Sequence, residues 1–261
     1  MNSIYIGTDR NIQLPKSEFL FIHNTLPKVR GAKIFDPTKD HINLLAKLHY
    51  RKICAITDAI GALFPEGENT LTRATGLEYI AEQLDAAMVA QVKGEPISLR
   101  DLIPEPDKKS TTGHVWAYGK IRRLLRSPVL NRMLTGKDFK FGKITLARVD
   151  PAALTLFDAQ AVTFFLMTQY PQQLVISDYG LYAREMHAQL ILEDRLIAGV
   201  NTLSELPPQL RQLALLQETI ACGTTWDDAE TLAKKDSLYG RGSVDFGDKI
   251  SEAMRGAGGS V

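Results

Sequence analysis

The sequence is poor in features that mark several classes of protein. Its two cysteines, Cys54 and Cys222, lie far apart in apolar contexts, so we expect reduced core residues rather than a disulfide framework. The five histidines are scattered and no zinc spacing occurs, so no metal site is predicted. A net charge of +1 offers no bulk field for nucleic acid or membranes, and a DNA contact would need a local patch.

Long hydrophobic runs are also missing. The most apolar stretch, residues 161–167, is far shorter than the roughly 20 residues of a membrane span. Because no signal peptide is recognisable at the N-terminus, we expect a cytoplasmic protein. No Gly-x-Ser-x-Gly element occurs, which excludes the α/β-hydrolase class.

The second half of the chain alternates short apolar strands with helices. Strands are predicted at 144–149, 174–177, 196–200 and 219–222. Helices are predicted at 158–170, 181–193, 208–217 and 226–235. This alternation favours an α/β fold whose mostly parallel sheet carries helices on both faces.

The first half combines a few strands with a long helical region. We predict a hairpin over 4–14 and strands at 19–23 and 32–35. Helices are predicted at 49–63, 72–92, 115–125 and 128–134, the last beginning at Pro128. The predicted organisation is therefore an α/β core, residues 1–48 and 135–261, with an all-α insertion at 49–134.

Asp178 is the candidate catalytic residue. It follows the apolar run Leu174-Val175-Ile176-Ser177, and a buried strand of this kind delivers a carboxylate to the sheet edge where ligands bind. The alternative is that Asp178 caps a helix beginning near Leu181.

Several segments resemble one family in the same order along the chain. Residues 174–178 resemble a Walker B strand, 195–207 the next strand and its sensor loop, and 219–233 the closing strand and the start of an Asp-Ala-Glu helix. Phe35-Asp36-Pro37 resembles the second strand. Together they resemble the FtsK/HerA superfamily of DNA-pumping ATPases, especially the coupling proteins of conjugation. The resemblance implies a RecA-like P-loop NTPase core, with 49–134 as the all-α insertion of coupling proteins.

The phosphate-binding loop of that family has no counterpart. No Gly-x-x-x-x-Gly-Lys-Ser/Thr occurs, and the segment between 19–23 and 32–35 is too short for a loop and a helix. Lys28 and Arg30 in that segment are candidates for attracting a phosphate as point charges. Tyr179 follows Asp178 where the family has a second acid. No cofactor is therefore certain, and ATP with magnesium is expected only where a partner completes the site.

Two further sets of basic residues are candidate sites. Arg184 and Arg195 resemble finger residues that reach a neighbouring subunit's nucleotide, or they form ion pairs with Glu185, Glu193 or Asp194. A basic stripe is predicted to contact nucleic-acid phosphates, or to be a solvated helix face. The stripe consists of Lys120, Arg122, Arg123, Arg126 and Arg132.

The sequence thus supports three functional hypotheses. The first is a catalytically degenerate relative of a DNA-translocating ATPase, acting as a binding or assembly module in mobile-element or phage DNA transfer. The second is a divergent ATPase subunit that completes its nucleotide site with a partner. The third is a nucleic-acid-binding protein that uses the basic stripe. The first two imply a homo- or hetero-oligomer with an ATPase or DNA-processing protein, and DNA is a candidate partner in all three.

Overall fold

The computed structural model describes residues 3–6, 12, 14–65, 70–95, 97–135, 139–215, 218–221, 228 and 231. Contacts divide the chain into two compact units, one of residues 18–172 and one of residues 1–17 with 173–261. Every strand pairing described within either unit is parallel, and helices lie between most of the strands from β3 onward. The predicted α/β class with a mostly parallel sheet is confirmed. The predicted limits of the insertion, 49–134, stay a prediction.

Seven strands and seven α-helices occur within the described ranges. The strands are β1 (Ser3–Ile6), β2 (Phe19–His23), β3 (Lys33–Phe35), β4 (Ile144–Arg148), β5 (Gln173–Ile176), β6 (Leu196–Val200) and β7 (Glu218–Ala221). The helices are α1 (Tyr50–Leu63), α2 (Thr70–Val92), α3 (Thr112–Arg126), α4 (Pro128–Thr135), α5 (Leu156–Gln169), α6 (Ala188–Leu192) and α7 (Pro208–Leu215). None of these helices is long and apolar enough to cross a membrane.

The unit of residues 18–172 contains three strands and the long helices. Its strand order is β3-β4-β2, and Phe19 of β2 lies opposite Ile144 of β4. Helix α3 begins where the Thr111 hydroxyl accepts a hydrogen bond from the His114 amide, and Thr155 caps α5 in the same way. Each cap satisfies one amide that the first helical turn leaves without a partner. The predicted helices of this unit are confirmed, with ends shifted by a few residues.

Helices α2 and α3 approach each other closely through two glycines. A Cβ atom on Gly76 would lie 2.3 Å from the Trp116 ring, and one on Gly113 would lie 2.8 Å from the Thr75 carbonyl oxygen. Neither distance is possible for real atoms, so glycine is required at both positions. The first turn of α3 is therefore held directly against α2.

The unit of residues 1–17 and 173–261 has the strand order β5-β6-β1-β7. Ile4 of β1 lies opposite Ala198 of β6 on one side and Thr219 of β7 on the other. The predicted hairpin over 4–14 is wrong, because both neighbours of β1 are parallel strands from far along the chain. The side chains of Ile4 and Ile6 are fully buried, as expected for a strand between two others.

The segment after β5 also differs from its prediction. In place of one helix over 181–193, it forms two 3₁₀ turns, Tyr179–Leu181 and Glu185–His187, followed by the short α6. Buried Tyr179, Tyr182 and Ala183 have the spacing of a helix face, but Arg184 is extended, with φ −142° and ψ 147°. The predicted helix at 226–235 lies outside the described residues except at two helical positions, 228 and 231.

Candidate functional site

Asp178 lies at the carboxyl end of β5, as predicted. Its side chain is half-buried, and the Ser177 hydroxyl donates to Asp178 Oδ2 over 3.5 Å. Asp178 occupies the position before the first 3₁₀ turn, but its side chain makes no capping hydrogen bond there. The alternative that Asp178 caps a helix near Leu181 is therefore wrong, because that helix does not form and the carboxylate is not used as a cap.

A second carboxylate, which the sequence did not suggest, lies at the end of the neighbouring strand β6. Glu205 accepts a hydrogen bond at Oε2 from the Asn201 amide (2.9 Å) and at Oε1 from Asn201 Nδ2 (2.8 Å). A Cβ atom on Gly180 would lie 2.2 Å from Glu205 Oε2, so the chain after β5 runs directly against this carboxylate. We call Asp178, Gly180, Asn201 and Glu205 the β5–β6 edge.

The loop after β6 is anchored from a third segment. Asp228 is buried, and its Oδ1 accepts a hydrogen bond from the Leu203 amide over 3.2 Å. Asp228 belongs to the Asp-Ala-Glu segment that the sequence placed at the start of a helix. Its carboxylate satisfies a backbone amide of this loop, which gives it a structural role here.

A buried tyrosine–histidine pair lies behind the 3₁₀ turns. The Tyr179 hydroxyl and His187 Nδ1 are 3.0 Å apart and share a hydrogen bond. Burial, with a smaller contribution from the Arg184 charge, lowers the pKa of His187 to about 3, so the imidazole is neutral at pH 7. Burial likewise raises the pKa of the Tyr179 hydroxyl. The pair therefore fixes the two turns through a neutral hydrogen bond.

The two predicted finger arginines have different surroundings. Arg195 forms an ion pair with Glu193 at 3.4 Å, which is one of the pairings the sequence suggested. Arg184 is half-buried, and its Nη1 donates to the Ala183 carbonyl over 2.7 Å. Burial lowers the pKa of the Arg184 guanidinium. Their role toward a neighbouring subunit stays a prediction.

The segment between β2 and β3 contains turns and no helix. Lys28 and Arg30 are exposed there, and Gly31 has a positive φ of 79° in the turn that leads to β3. In the other unit, β1 lies between β6 and β7, and residues 7–11 after it lie outside the described residues.

The predicted basic stripe divides into groups with different neighbours. The Lys120 ammonium lies 5.1 Å from the centre of the Phe64 ring, and the Arg123 guanidinium lies 5.5 Å from it and 5.2 Å from the Phe157 ring. These cation–π contacts attach α3 to an aromatic cluster that also includes Trp116. We call Lys120, Arg123 and these rings the aromatic face of α3.

Arg132 is also used within the protein. It lies on α4, and its Nη1 donates a hydrogen bond to the Thr38 carbonyl oxygen. His41 Nδ1 lies 2.6 Å from the Arg132 carbonyl oxygen. The side chain and the backbone of Arg132 therefore both contact the segment after β3. Arg132 therefore contributes to packing, and its predicted contact with nucleic acid stays a prediction.

Arg122 and Arg126 line a groove that does not include the aromatic face. Its volume is about 640 Å³. We call it the arginine groove, and its lining residues are Arg100, Tyr118, Gly119, Arg122, Leu125 and Arg126. Arg100 comes from the proline-rich connection between α2 and α3. Sequence reasoning missed it, because one arginine in a loop carries no signal of its own.

No protein-family model matches the chain, and no curated protein matches it at a significant level. Among solved structures it is similar to the bacterial conjugative coupling protein TrwBdeltaN70, trigonal form in complex with sulphate. That match has a TM-score of 0.55 and 12% identity, and it covers 88% of this chain and 72% of that one. The fold is similar to that of this coupling protein. The unbound monoclinic form gives a TM-score of 0.53 with the same identity and coverage.

The coupling-protein fold does not by itself provide a nucleotide site here. The sequence resemblance implies ATP and magnesium, which need a phosphate loop and free carboxylate oxygens. Both oxygens of Glu205 accept hydrogen bonds from Asn201. Among the residues whose structure is described, no group of three or more His, Cys, Asp and Glu side chains is placed to hold a metal ion. The expectation that ATP and magnesium bind only where a partner completes the site stays a prediction.

Proposed function

We propose that the chain is a non-hydrolysing relative of DNA-translocating ATPases that acts as a binding or assembly module in DNA transfer by a mobile element or phage. The observation that carries this proposal is a coupling-protein fold in a chain without the motif Gly-x-x-x-x-Gly-Lys-Ser/Thr. That motif supplies the backbone amides, the lysine and the helix N-terminus that neutralise the phosphates of a nucleotide. Its loss removes binding energy and transition-state stabilisation together.

The geometry of the β5–β6 edge supports the same proposal. A catalytic carboxylate must keep an oxygen directed at the attacking water. The two hydrogen bonds from Asn201 instead hold Glu205 against its own loop, and Gly180 packs on it. Asp178 is the remaining acid of this edge, and one carboxylate without a phosphate loop is a poor hydrolytic centre.

Phosphate release from ATP and magnesium tests this proposal directly. Three proteins are compared: the unaltered chain, Asp178→Asn, and Asp85→Asn as a matched control at an exposed carboxylate on α2. We expect all three to give the same background rate. Turnover that persists in Asp85→Asn and disappears in Asp178→Asn would show hydrolysis at the end of β5 and overturn the proposal.

The second candidate is an ATPase subunit whose nucleotide site is completed by a partner, with Arg184 or Arg195 reaching the neighbour's nucleotide. It is favoured by the half-buried Asp178, which lies at the carboxyl end of β5, where open α/β sheets bind ligands. Titration calorimetry with ATP and magnesium, on the chain alone and mixed with a co-purifying ATPase, separates the candidates. Heat seen only in the mixture supports the second candidate, and no heat in either titration removes it.

A further inference from the structure

We propose that the arginine groove binds single-stranded nucleic acid, with its arginines on the phosphates and Tyr118 against a base. The groove belongs to the unit of residues 18–172, and its use does not depend on nucleotide binding or on the function proposed above. Of the predicted stripe, Arg122 and Arg126 bind the nucleic acid, together with Arg100. Lys120, Arg123 and Arg132 instead have packing roles within the protein.

The lining of the groove is positively charged. Three of its six lining residues are arginines, all of them exposed, and none of the six is acidic. Like charges in one groove repel each other, and no acidic side chain of the lining offsets this repulsion. A phosphate relieves the repulsion and accepts paired hydrogen bonds from the planar guanidinium groups.

Arg122 is held in position by Tyr118. Its Nε donates to the Tyr118 hydroxyl over 3.1 Å, and its guanidinium centre lies 5.3 Å from the Tyr118 ring. The side chain is thereby ordered before any ligand arrives, which lowers the entropy lost on binding. The terminal nitrogens of Arg122 are then the donors available for bidentate contact with a phosphate.

Gly119 leaves the backbone of α3 exposed in the lining of the groove. It lies inside α3, where glycine destabilises a helix relative to alanine, and a Cβ atom added there would meet nothing within 4 Å. Packing within the protein therefore does not require glycine at this position, unlike at Gly76 and Gly113. A bare backbone in the lining of the groove allows close approach by an external group.

The size and the apolar part of the lining favour a single strand. A volume of about 640 Å³ is within the range that accommodates a small molecule or a nucleotide, and a duplex is too wide to enter. Tyr118 and Leu125 offer apolar surface between the arginines. A single strand exposes unstacked bases that stack on such side chains, whereas a duplex presents only its phosphates.

Fluorescence anisotropy with a labelled oligothymidine, and with a duplex of equal length, tests the proposal. The groove variant carries Arg100→Glu, Arg122→Glu and Arg126→Glu. The charge-matched control carries Arg51→Glu, Lys93→Glu and Lys108→Glu, which reverses three exposed cations elsewhere in the same unit. We expect the groove variant to bind oligothymidine roughly ten-fold or more weakly, and the control to stay close to the unaltered chain.

The salt dependence gives a second reading of the same contacts. Each phosphate contact to a single strand contributes about 0.7 to the slope of log affinity against log salt. Loss of three contacts should therefore reduce the slope by about 2 in the groove variant. Gly119→Leu fills the groove without changing net charge, and we expect it to weaken binding to a similar extent. Circular dichroism and the thermal midpoint confirm that each variant is folded.

The outcomes are distinct. The proposal is overturned if oligothymidine does not bind, if the duplex binds more tightly, or if the groove variant and its control lose affinity equally. Binding that survives in folded Gly119→Leu and in the groove variant also overturns it. ATP turnover, or its absence, leaves this result unaffected, so failure here is separable from failure of the proposed function.

Discussion

The β5–β6 edge and the arginine groove both collect charged side chains, but their surroundings differ. At the edge, the Glu205 carboxylate accepts hydrogen bonds from Asn201 and lies under Gly180. In the groove, three arginines share a surface with no acidic residue in its lining. The first arrangement stabilises the fold, because its polar atoms are satisfied from within. The arginines of the groove have no acidic neighbour among its lining residues, so the groove is the better candidate for a ligand. The edge lies where open α/β sheets usually bind ligands, but its Glu205 carboxylate is already hydrogen-bonded within the protein.

The largest expected effect is at the glycine of the edge. In Gly180→Ala the new Cβ would lie 2.2 Å from Glu205 Oε2 and 2.9 Å from Glu205 Cβ, so a rotation of the glutamate alone does not relieve the overlap. We expect a loss of about 2–3 kcal/mol in the free energy of unfolding, as for an overpacked core. Urea denaturation measures it. Unchanged stability would mean that Gly180 packs loosely on Glu205, and that contacts within the protein do not hold the edge.

The buried histidine beside the edge predicts a loss of stability in acid. The folded-state pKa of His187 is about 3, below its usual 6.5, so acid protonates the unfolded chain first. Stability from this group is complete above pH 6.5 and is lost as the pH falls toward 3. The loss between pH 7 and 5 is about 2 kcal/mol.

Urea denaturation at both pH values measures this loss. His187→Gln should show a smaller difference in the free energy of unfolding between pH 7 and 5 than the unaltered chain. His114→Gln, a change at a half-buried histidine outside this pair, is the control. Equal differences in all three proteins would show that His187 is not the group responsible.

A smaller effect separates the two faces of α3. Arg123→Met removes cation–π contacts with Phe64 and Phe157 and should lower the free energy of unfolding by about 1 kcal/mol. It should leave oligothymidine affinity nearly unchanged. Arg122→Met should do the reverse, with little loss of stability and a clear loss of affinity. If both variants lose affinity equally, the basic residues of α3 act as one surface and the division proposed here is wrong.

The smallest effect has the opposite sign. Gly119→Ala places a methyl group in open space within a helix, so we expect a gain of about 0.5–1 kcal/mol in the free energy of unfolding. Thermal denaturation of Gly119→Ala and Gly180→Ala, measured side by side, compares the same substitution in open space and in a packed position. A loss of stability at position 119 would indicate that the lining of the groove is tighter than described.

Much of the fold was predictable because it depends on local patterns. Helices α1 and α3 follow from apolar spacing, and β6 from a continuous apolar run. The helix expected after β5 was wrong because Tyr179, Tyr182 and Ala183 are buried with helical spacing through turns, not through a continuous helix. Local spacing does not reveal where the backbone becomes extended, as it does at Arg184.

The candidate sites were predictable only in part, for a related reason. Asp178 was found because a strand and its terminal acid are adjacent in sequence. Glu205 was missed because the pairing of β5 with β6 brings its loop beside Gly180. Arg100 was missed because only the folded connection places it beside Arg122. Side chains that meet through tertiary structure leave no periodic signal.

The position of β1 has a consequence for how this unit assembles during synthesis. Ile4 is made well before its partners Ala198 and Thr219, which lie about 200 residues later along the chain. At roughly 5–20 residues per second, on the order of 10–40 seconds pass before β1 can pair with either. Through that interval the apolar residues Ile4 and Ile6 await their neighbours. Apolar segments that wait for distant partners in this way are prone to aggregation until the sheet is complete.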